Sequence, residues 1–201
     1  QTHLQGPGVP VNIGANEVLR RGTDERIDVP HIRIRPSLVI IPIVSRSPLY
    51  SHNLSLVGFW STLTIYTHIG THHLLQTPVP TWLKVLAITG SIAMLAPVMT
   101  VLVNLWLTMR GRLGYIHSDI GGKFVFAGLV WYILTCLQGP LQALPVIQRV
   151  THLNNWVIAH AHMGVLGFSG SIALGGLYFI LPRITNRPIY SSRLADIQYW
   201  L

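Results

Sequence analysis

The chain is poor in cysteine and in charged residues. Its single cysteine, Cys136, excludes an internal disulfide framework and a metal cluster held by cysteines. Only 10% of the 201 residues are charged, whereas 50% are hydrophobic. This composition is unusual for a soluble domain and common among proteins that cross a membrane several times. Residues 1–37 contain no apolar run of the length that a secretory signal needs.

Acidic residues are scarcer than basic ones, and the formal net charge is +8. The basic residues lie between long apolar runs instead of clustering, so membrane topology explains them better than nucleic-acid binding does. We expect no nucleic-acid partner and a lipid bilayer as the surroundings. One predicted side of the membrane has two basic residues, Lys84 and Arg149. The other side, which the positive-inside rule makes cytoplasmic, has Arg46, Arg110, Arg112, Arg183, Arg187 and Arg193.

Four segments are long and apolar enough to span a bilayer, which takes about 20 residues of helix. They are predicted near 50–76, 82–109, 122–146 and 154–182, and a fifth apolar pattern begins before residue 201. The predicted fold is therefore all-α, a polytopic membrane helical bundle. Hydroxyl, histidine and glycine residues inside the spans indicate helices that face protein or cofactor on one side.

The chain divides into two predicted regions near residue 38. Residues 1–37 are polar, rich in arginine and interrupted by glycine and proline, which predicts a loop or a disordered leader. The abrupt change in composition is also compatible with a truncated or out-of-frame start. Residues 38–201 are the predicted transmembrane region, although the apolar run 38–44 is too short to span by itself.

A sequence repeat links the two ends of the transmembrane region. The segment "IIPIVSRSPLYSHNLSLVGFW" at 40–60 recurs as "ILPRITNRPIYSSRLADIQYW" at 180–200. The offset of 140 residues encloses four spans, which favours a pseudo-symmetric array of four-helix units. Independent origin of similar turns at two helix starts is the alternative.

Two groups of histidines lie in apolar surroundings, where an imidazole is costly to desolvate without a partner. His72 and His73 lie near the end of the first span, in "YTHIGTHHLL". Adjacent helical residues diverge by about 100°, so this pair converges on one metal only where the helix distorts near its end, and Gly70 is expected to help. Imidazole ligands suit copper or zinc, and a redox site favours copper. The alternative is an interfacial pair that faces water.

His160 and His162 lie near the start of the last span, in "WVIAHAHMGVLGFSG". If the two spans are antiparallel, both histidine groups lie at a similar depth toward the non-cytoplasmic side. Residues two apart on a helix point to nearly opposite faces, so one metal does not readily bind both. Two haems that flank the helix could each take one axial imidazole. A hydrogen-bonded structural pair is the alternative.

Polar side chains follow one stripe of the first span toward the cytoplasmic side. Tyr66 precedes His73 by seven residues and shares its face, and Thr62 and Ser55 continue the stripe. With bound water, such a column could carry protons to a buried metal site. Hydroxyls that only pack helices together are the alternative reading.

These residues occur in motifs that resemble a known family. From Arg46 onward, the chain resembles the C-terminal half of the catalytic subunit I of the C-class, or cbb-type, haem-copper cytochrome c oxidases, whose nearest relatives are nitric oxide reductases. The motifs are "SPLYSHNLSLVGFW", the tyrosine and double histidine of 66–73, "TPVPTW", "SIAMLAP", "QGP", "THLNNWVIAHAHMG" and "YFILPRITNRPIYS".

The resemblance implies a role for each matching residue. His72 and His73 correspond to two of three copper B ligands, His160 to the ligand of the high-spin haem b iron, and His162 to a ligand of the low-spin haem b iron. Tyr66 corresponds to the active-site tyrosine. The residues expected around the haem propionates are His152, Asn155 and Trp156.

The implied function is the reduction of O2 to water, with proton uptake, in the aerobic respiratory chain of a bacterial inner membrane. The implied partners are the N-terminal half of subunit I and membrane-anchored cytochrome c subunits that donate electrons. That half would supply the missing haem and copper ligands, because His3 and His31 lie in unsuitable sequence surroundings. One departure is Gln138, which stands where the family has glutamate.

Three other functions remain open on sequence alone. A nitric oxide reductase uses non-haem iron, which favours carboxylate ligands, yet the four predicted spans contain no aspartate or glutamate. A non-catalytic di-haem electron carrier would leave Tyr66, His72 and His73 without a role. A histidine-rich transporter would bind no haem.

Overall fold

The computed structural model describes residues 36–152 and 154–201, except for the side chains of residues 36, 37 and 68. The predicted leader at 1–37 therefore lies almost wholly outside the described residues. In the described ranges the regular structure is entirely helical, which confirms the all-α prediction. The helices are α1 (Pro36–Ser45), α2 (His52–Ile69), α3 (Thr81–Ala93), α4 (Leu95–Met109), α5 (Leu113–Ser118), α6 (Ile120–Gln142), α7 (Pro145–Thr151), α8 (Asn155–His162), α9 (Ser171–Thr185) and α10 (Ser192–Trp200).

Two irregular helical segments interrupt this series. A 3₁₀ turn, Gly70–Leu74, follows α2 directly, and a π segment, Met163–Gly170, joins α8 to α9. π segments occur often at functional sites, whereas a 3₁₀ turn is common at the end of an α-helix.

Three stretches in the described residues are long and apolar enough to cross a membrane: Thr81–Met109, Ile120–Gln142 and Asn155–Thr185. They correspond to the second, third and fourth predicted spans. The first predicted span, 50–76, forms α2 and the 3₁₀ turn but does not belong to this set. The reason is its composition, because serine, threonine and histidine side chains along α2 lower its hydropathy.

The sequence repeat is also a structural repeat. Each copy has a helix that ends in the left-handed conformation, at Arg46 with φ of 52° and at Asn186 with φ of 50°. A serine then caps the next helix, since the Ser51 hydroxyl accepts from the Leu54 N–H at 3.2 Å and the Ser191 hydroxyl repeats this bond. Segments 46–51 and 186–191 therefore form two copies of one joint between helices, a local geometry that both the repeat and the independent origin of similar turns predict.

The first joint is fastened to α4 by an amide side chain. Asn104, which is fully buried, accepts a hydrogen bond from the Ser51 N–H and donates to the Ser51 carbonyl, both at 2.8 Å. Its amide also donates to the Ser55 hydroxyl at 2.8 Å. The Tyr50 N–H bonds to the Thr108 hydroxyl one turn further along α4. These bonds fix the start of α2, and therefore the direction in which it carries Tyr66 and the 3₁₀ turn.

Glycines bring α6 against α9 and the π segment. A Cβ atom added to Gly175 would lie 2.7 Å from Val125 Cγ2 and 2.8 Å from the Gly121 carbonyl oxygen. A Cβ added to Gly167 would lie 2.7 Å from the Trp131 ring. Small residues at such interfaces let membrane helices approach to backbone contact. This packing places the segment that carries His160 beside the last turns of α6.

Candidate metal centre

His72 and His73 form a close pair of imidazoles in the 3₁₀ turn. Their Nε2 atoms lie 3.0 Å apart, and the ring centroids are separated by 4.2 Å. The helix leaves regular α geometry two residues before the pair, as the sequence analysis required for convergence. Gly70 has an ordinary right-handed backbone and open space around it, so the geometry does not depend on glycine at this position.

Two neighbouring helices, α3 and α7, hold His72 in place. Its side chain is 4% exposed, and its Nδ1 lies 2.9 Å from the Ser91 hydroxyl on α3. The Ser91 hydroxyl also bonds to the Ala87 carbonyl one turn earlier. From α7, the buried Gln148 side chain donates to the His72 carbonyl oxygen at 3.1 Å. Both the ring and the peptide of His72 are therefore fixed by neighbouring helices.

His160 projects from α8 toward the same region. Its Nδ1 lies 3.1 Å from Oε1 of Gln138 on α6. The ring also lies beside Gly139, where an added Cβ would meet His160 Cε1 at 3.7 Å, an ordinary van der Waals contact. The Nε2 atom of His160 takes no part in the bond to Gln138.

One cavity brings the two histidine groups together. Its volume is about 1090 Å³, slightly above the roughly 300–1,000 Å³ that is typical of cofactor and small-molecule sites. Its lining is mostly apolar and includes Thr62, Tyr66, His72, His73, Ser91 and His160. The prediction that imidazoles from two separate spans meet at one level agrees with this arrangement.

His162 lies on the other side of α8. Its side chain is exposed, it is not part of the cavity lining, and its Nδ1 bonds to the Ile158 carbonyl at 2.8 Å. The opposite directions of His160 and His162 are those expected for residues two apart on a helix. A single metal in the cavity therefore does not bind both.

The predicted hydroxyl stripe on α2 is only partly connected to the cavity. Tyr66 and Thr62 contribute to its lining, and the Thr62 hydroxyl donates to the Gly58 carbonyl at 2.6 Å. Ser55 is buried but does not line the cavity, because its hydroxyl belongs to the Asn104 network at the start of α2. For Ser55, the contacts favour the alternative of helix packing.

The three residues predicted to surround haem propionates also lie outside the cavity lining. His152 ends α7 and is half-buried, with Nδ1 3.4 Å from the Gln148 amide nitrogen. Asn155 and Trp156 are exposed in the first turn of α8. Asn154 caps that helix by accepting from the Trp156 N–H. Gln148 thus connects His152 with the peptide of His72.

Ser91 and Gln148 do not stand out in the sequence as residues of the site. Ser91 lies 19 residues from His72, and Gln148 lies 76 residues away. No local spacing indicates these contacts, because they arise only when α3 and α7 pack against the 3₁₀ turn.

The donor set of the cavity fits part of a metal site. Two Nε2 atoms 3.0 Å apart can both lie within about 2.0–2.1 Å of one ion, which is the usual imidazole–zinc distance. Among the described residues, no group of three or more histidine, cysteine, aspartate or glutamate side chains could hold a metal. The pair could therefore supply two ligands of a site whose other ligands come from elsewhere. His160 lines the mostly apolar cavity, and its Nε2 is not used by the bond to Gln138, which fits an axial haem ligand.

Comparison with known protein families identifies the chain. The family described as cytochrome c and quinol oxidase polypeptide I matches residues 37–201. The chain belongs to this family. Together with the three candidate spans, membership makes it part of a multi-pass membrane protein. The predicted resemblance to haem-copper oxidases is confirmed at the level of the family.

Several curated oxidase subunits are similar to this oxidase-family chain over four fifths of its length. A cbb3-type cytochrome c oxidase subunit CcoN1 from Stutzerimonas stutzeri is 32% identical over 80% of the chain and 34% of its own length. Cytochrome c oxidase subunit 1 from Rhodobacter capsulatus is 30% identical over 80% of the chain and 30% of its own length. The subunit 1 from Thermus thermophilus is 28% identical over 81% of the chain and 32% of its own length. The chain thus spans about a third of these relatives.

Proposed function

We propose that the chain is the part of a terminal oxidase catalytic subunit that carries one side of a haem b and copper B centre. The complete enzyme reduces O2 to water and takes up protons across a bacterial inner membrane. The observation that carries this proposal is the His72–His73 pair, whose Nε2 atoms lie 3.0 Å apart beside the cavity that His160 also lines. Family membership and the cbb3-type relative support an oxidase.

His72 and His73 bind copper B in this proposal, and His160 binds the high-spin haem b iron. His162 binds the low-spin haem b iron on the opposite face of α8, which agrees with its exposed position outside the cavity. When bound, the haem irons and copper supply the electron transfer to O2, which these side chains cannot perform alone.

Tyr66 holds a transferable proton at its phenolic oxygen beside this centre. The side chain lines the cavity that His72 and His160 share, so its proton is close to where oxygen would be reduced. Thr62, one turn earlier on the same face, extends the polar surface for proton entry. Ser55 supports this path only indirectly, since it holds α2 against Asn104.

The start of α8 provides polar groups for haem propionates. The exposed Asn155 amide and the Trp156 indole N–H are hydrogen-bond donors, and His152 lies at the end of the preceding helix. The Gln148 amide N–H donates to Nδ1 of His152, so Nδ1 carries no proton. The other ring nitrogen, Nε2, carries the proton and is the one that donates to a propionate.

The proposed partners complete the centre. The rest of subunit I, including its N-terminal half, supplies the third copper ligand and the second low-spin haem ligand, and membrane-anchored cytochrome c subunits deliver electrons. The described chain is compatible with this division, because the cavity contains an incomplete set of metal ligands.

The test uses the complete membrane complex. Metal analysis should find copper with two b-type haems, a reduced-minus-oxidised spectrum should show both haems, and the complex should consume O2 faster than NO. Non-haem iron in place of copper, with NO as the preferred substrate, would instead identify a nitric oxide reductase. The described cavity has no lining carboxylate, which argues against such an iron site. Absence of a b-type haem spectrum would refute both enzymes.

A further inference from the structure

We propose that Ser91 is a positioning residue that fixes the tautomer and the ring orientation of His72. It makes Nε2 the metal-binding nitrogen and holds that atom beside His73. This inference rests on the metal-binding role proposed above for His72. Ser91 would not contact the metal and would act on it only through the ring of His72.

The hydrogen bonds of Ser91 determine which ring nitrogen of His72 carries the proton. A serine hydroxyl has one proton to donate and two lone pairs that accept. The Ser91 hydroxyl donates its proton to the Ala87 carbonyl at 2.7 Å, as hydroxyls within helices commonly do. Toward His72 Nδ1, at 2.9 Å, it can therefore only accept. The proton of the neutral imidazole must lie on Nδ1, which leaves the lone pair on Nε2, the atom that lies 3.0 Å from His73 Nε2.

Burial makes this arrangement specific. Ser91 is 2% exposed and His72 is 4% exposed, so bulk water does not compete for either group. In such surroundings a hydrogen bond is strong, and an unpaired N–H is costly. The opposite tautomer would leave Nδ1 as an acceptor beside a hydroxyl whose proton already bonds to Ala87.

The peptide of His72 is fixed independently of its ring. Gln148 donates to the His72 carbonyl from α7, while Ser91 bonds to the ring from α3. With the backbone and Nδ1 both anchored, the position of Nε2 is nearly determined. The Nε2 atom of His73 lies 3.0 Å from it, within hydrogen-bond distance.

His160 is also oriented through a hydrogen bond at Nδ1, but the acceptor is an amide oxygen. Its Nδ1 faces Oε1 of Gln138, which leaves its Nε2 lone pair available. Two imidazoles of one cavity are thus oriented through Nδ1 by polar groups on neighbouring helices. Partners of this kind fix the tautomer of metal-binding histidines, and their removal typically weakens metal binding by about 10–100-fold.

The experiment measures copper retention in the complete complex while a copper chelator is titrated. Ser91→Ala should lose copper at roughly 10–100-fold lower chelator concentration than the parent, and Ser91→Thr, which keeps the hydroxyl, should restore most of that loss. Thr89→Ala is the matched control, because Thr89 makes the same type of bond on the same helix, to the Val85 carbonyl, from an exposed position. It should retain copper as the parent does.

A second pair of variants covers the possibility that Ser91→Ala fails to assemble. Threonine and valine have nearly the same shape and differ by the hydroxyl, so Ser91→Thr should bind copper more tightly than Ser91→Val. An intact low-spin haem spectrum shows that each variant is assembled. Equal copper retention in Thr and Val variants, or in Ser91→Ala and the parent, would overturn the role of Ser91.

The outcome also separates this inference from the proposed function. A parent complex that contains no copper would refute the copper site itself. A parent that contains copper, with retention that does not depend on the Ser91 hydroxyl, would refute only the positioning role.

Discussion

Nδ1 of His160 lies 3.1 Å from the side-chain oxygen of Gln138, across the contact between α8 and α6. The amide is a neutral acceptor, so it orients the imidazole without adding negative charge. A carboxylate at the same place would form a charge-assisted bond and make the ring a stronger electron donor.

We therefore expect Gln138→Glu to lower the reduction potential of the high-spin haem. A difference of about 1 kcal/mol in this hydrogen bond corresponds to a shift on the order of 50 mV for a one-electron couple. Spectroscopic redox titration of the complete complex measures it. The low-spin haem is the internal control, because His162 bonds to a backbone carbonyl instead. An unchanged or higher potential for the high-spin haem would contradict the prediction.

His72→Ala should remove copper and abolish O2 reduction while the low-spin haem remains. The substitution deletes one of the two nitrogens that face each other at 3.0 Å, so His73 alone cannot hold the ion at this side of the cavity. Metal analysis and oxygen uptake are the measurements. Copper content equal to that of the parent would exclude His72 as a ligand.

His162→Ala should remove the low-spin haem signal preferentially. Its side chain lies on the face of α8 that turns away from the cavity, so copper and the high-spin haem should persist. The reduced-minus-oxidised spectrum and the copper content of the same preparation provide the comparison. Loss of the high-spin haem with retention of the low-spin haem would reverse the two assignments.

Tyr66→Phe should keep both haems and copper but lose most of the turnover. The ring remains at the cavity, while the phenolic proton disappears. Oxygen uptake is measured at matched haem content, with Tyr50→Phe as a control, because Tyr50 contacts α4 through its backbone N–H at the distant end of α2. Full activity of the Tyr66 variant would exclude a catalytic role for its hydroxyl.

Gly175→Ala should destabilise the complex, because the new Cβ would meet Val125 Cγ2 at 2.7 Å and the Gly121 carbonyl at 2.8 Å. Overpacking of this kind typically costs about 1–3 kcal/mol. The adjacent Gly176→Ala is a matched control, since its Cβ would meet nothing within 4 Å. Thermal unfolding followed through the haem spectrum should separate the two variants. Equal melting temperatures would show that α6 and α9 do not need this close contact.

The sequence predicts the helical class and three of the spans well, because long apolar runs leave few alternatives to a membrane helix. It is less successful for α2, where hydroxyl and histidine side chains make the predicted first span less apolar than the other three. The repeat is recognisable both in the sequence and in the structure. The reason is that left-handed residues and serine caps depend on local residue types, here Arg46, Asn186 and the two capping serines.

The candidate site is predictable only in part. Helical periodicity is sufficient to separate His160 from His162 and to bring Tyr66 to the face of His73. The partners that orient the rings, Ser91 and Gln138, depend on which helices become neighbours, and that is decided by packing over distances that no local pattern encodes. Ser55 shows the limit of periodicity, since it shares the predicted stripe but bonds to Asn104.

The π segment has a consequence for how this site can change. Its eight residues, Met163–Gly170, set the rotation between His160 on one side and the glycine-lined face of α9 on the other. Deleting or inserting a single residue there would turn one relative to the other by about 100°. The bond between His160 and Gln138 and the close packing of α6 against α9 could then no longer form at the same time. Apart from Gly167, which packs against the Trp131 ring, the side chains of this segment can therefore be exchanged more freely than its length can be altered.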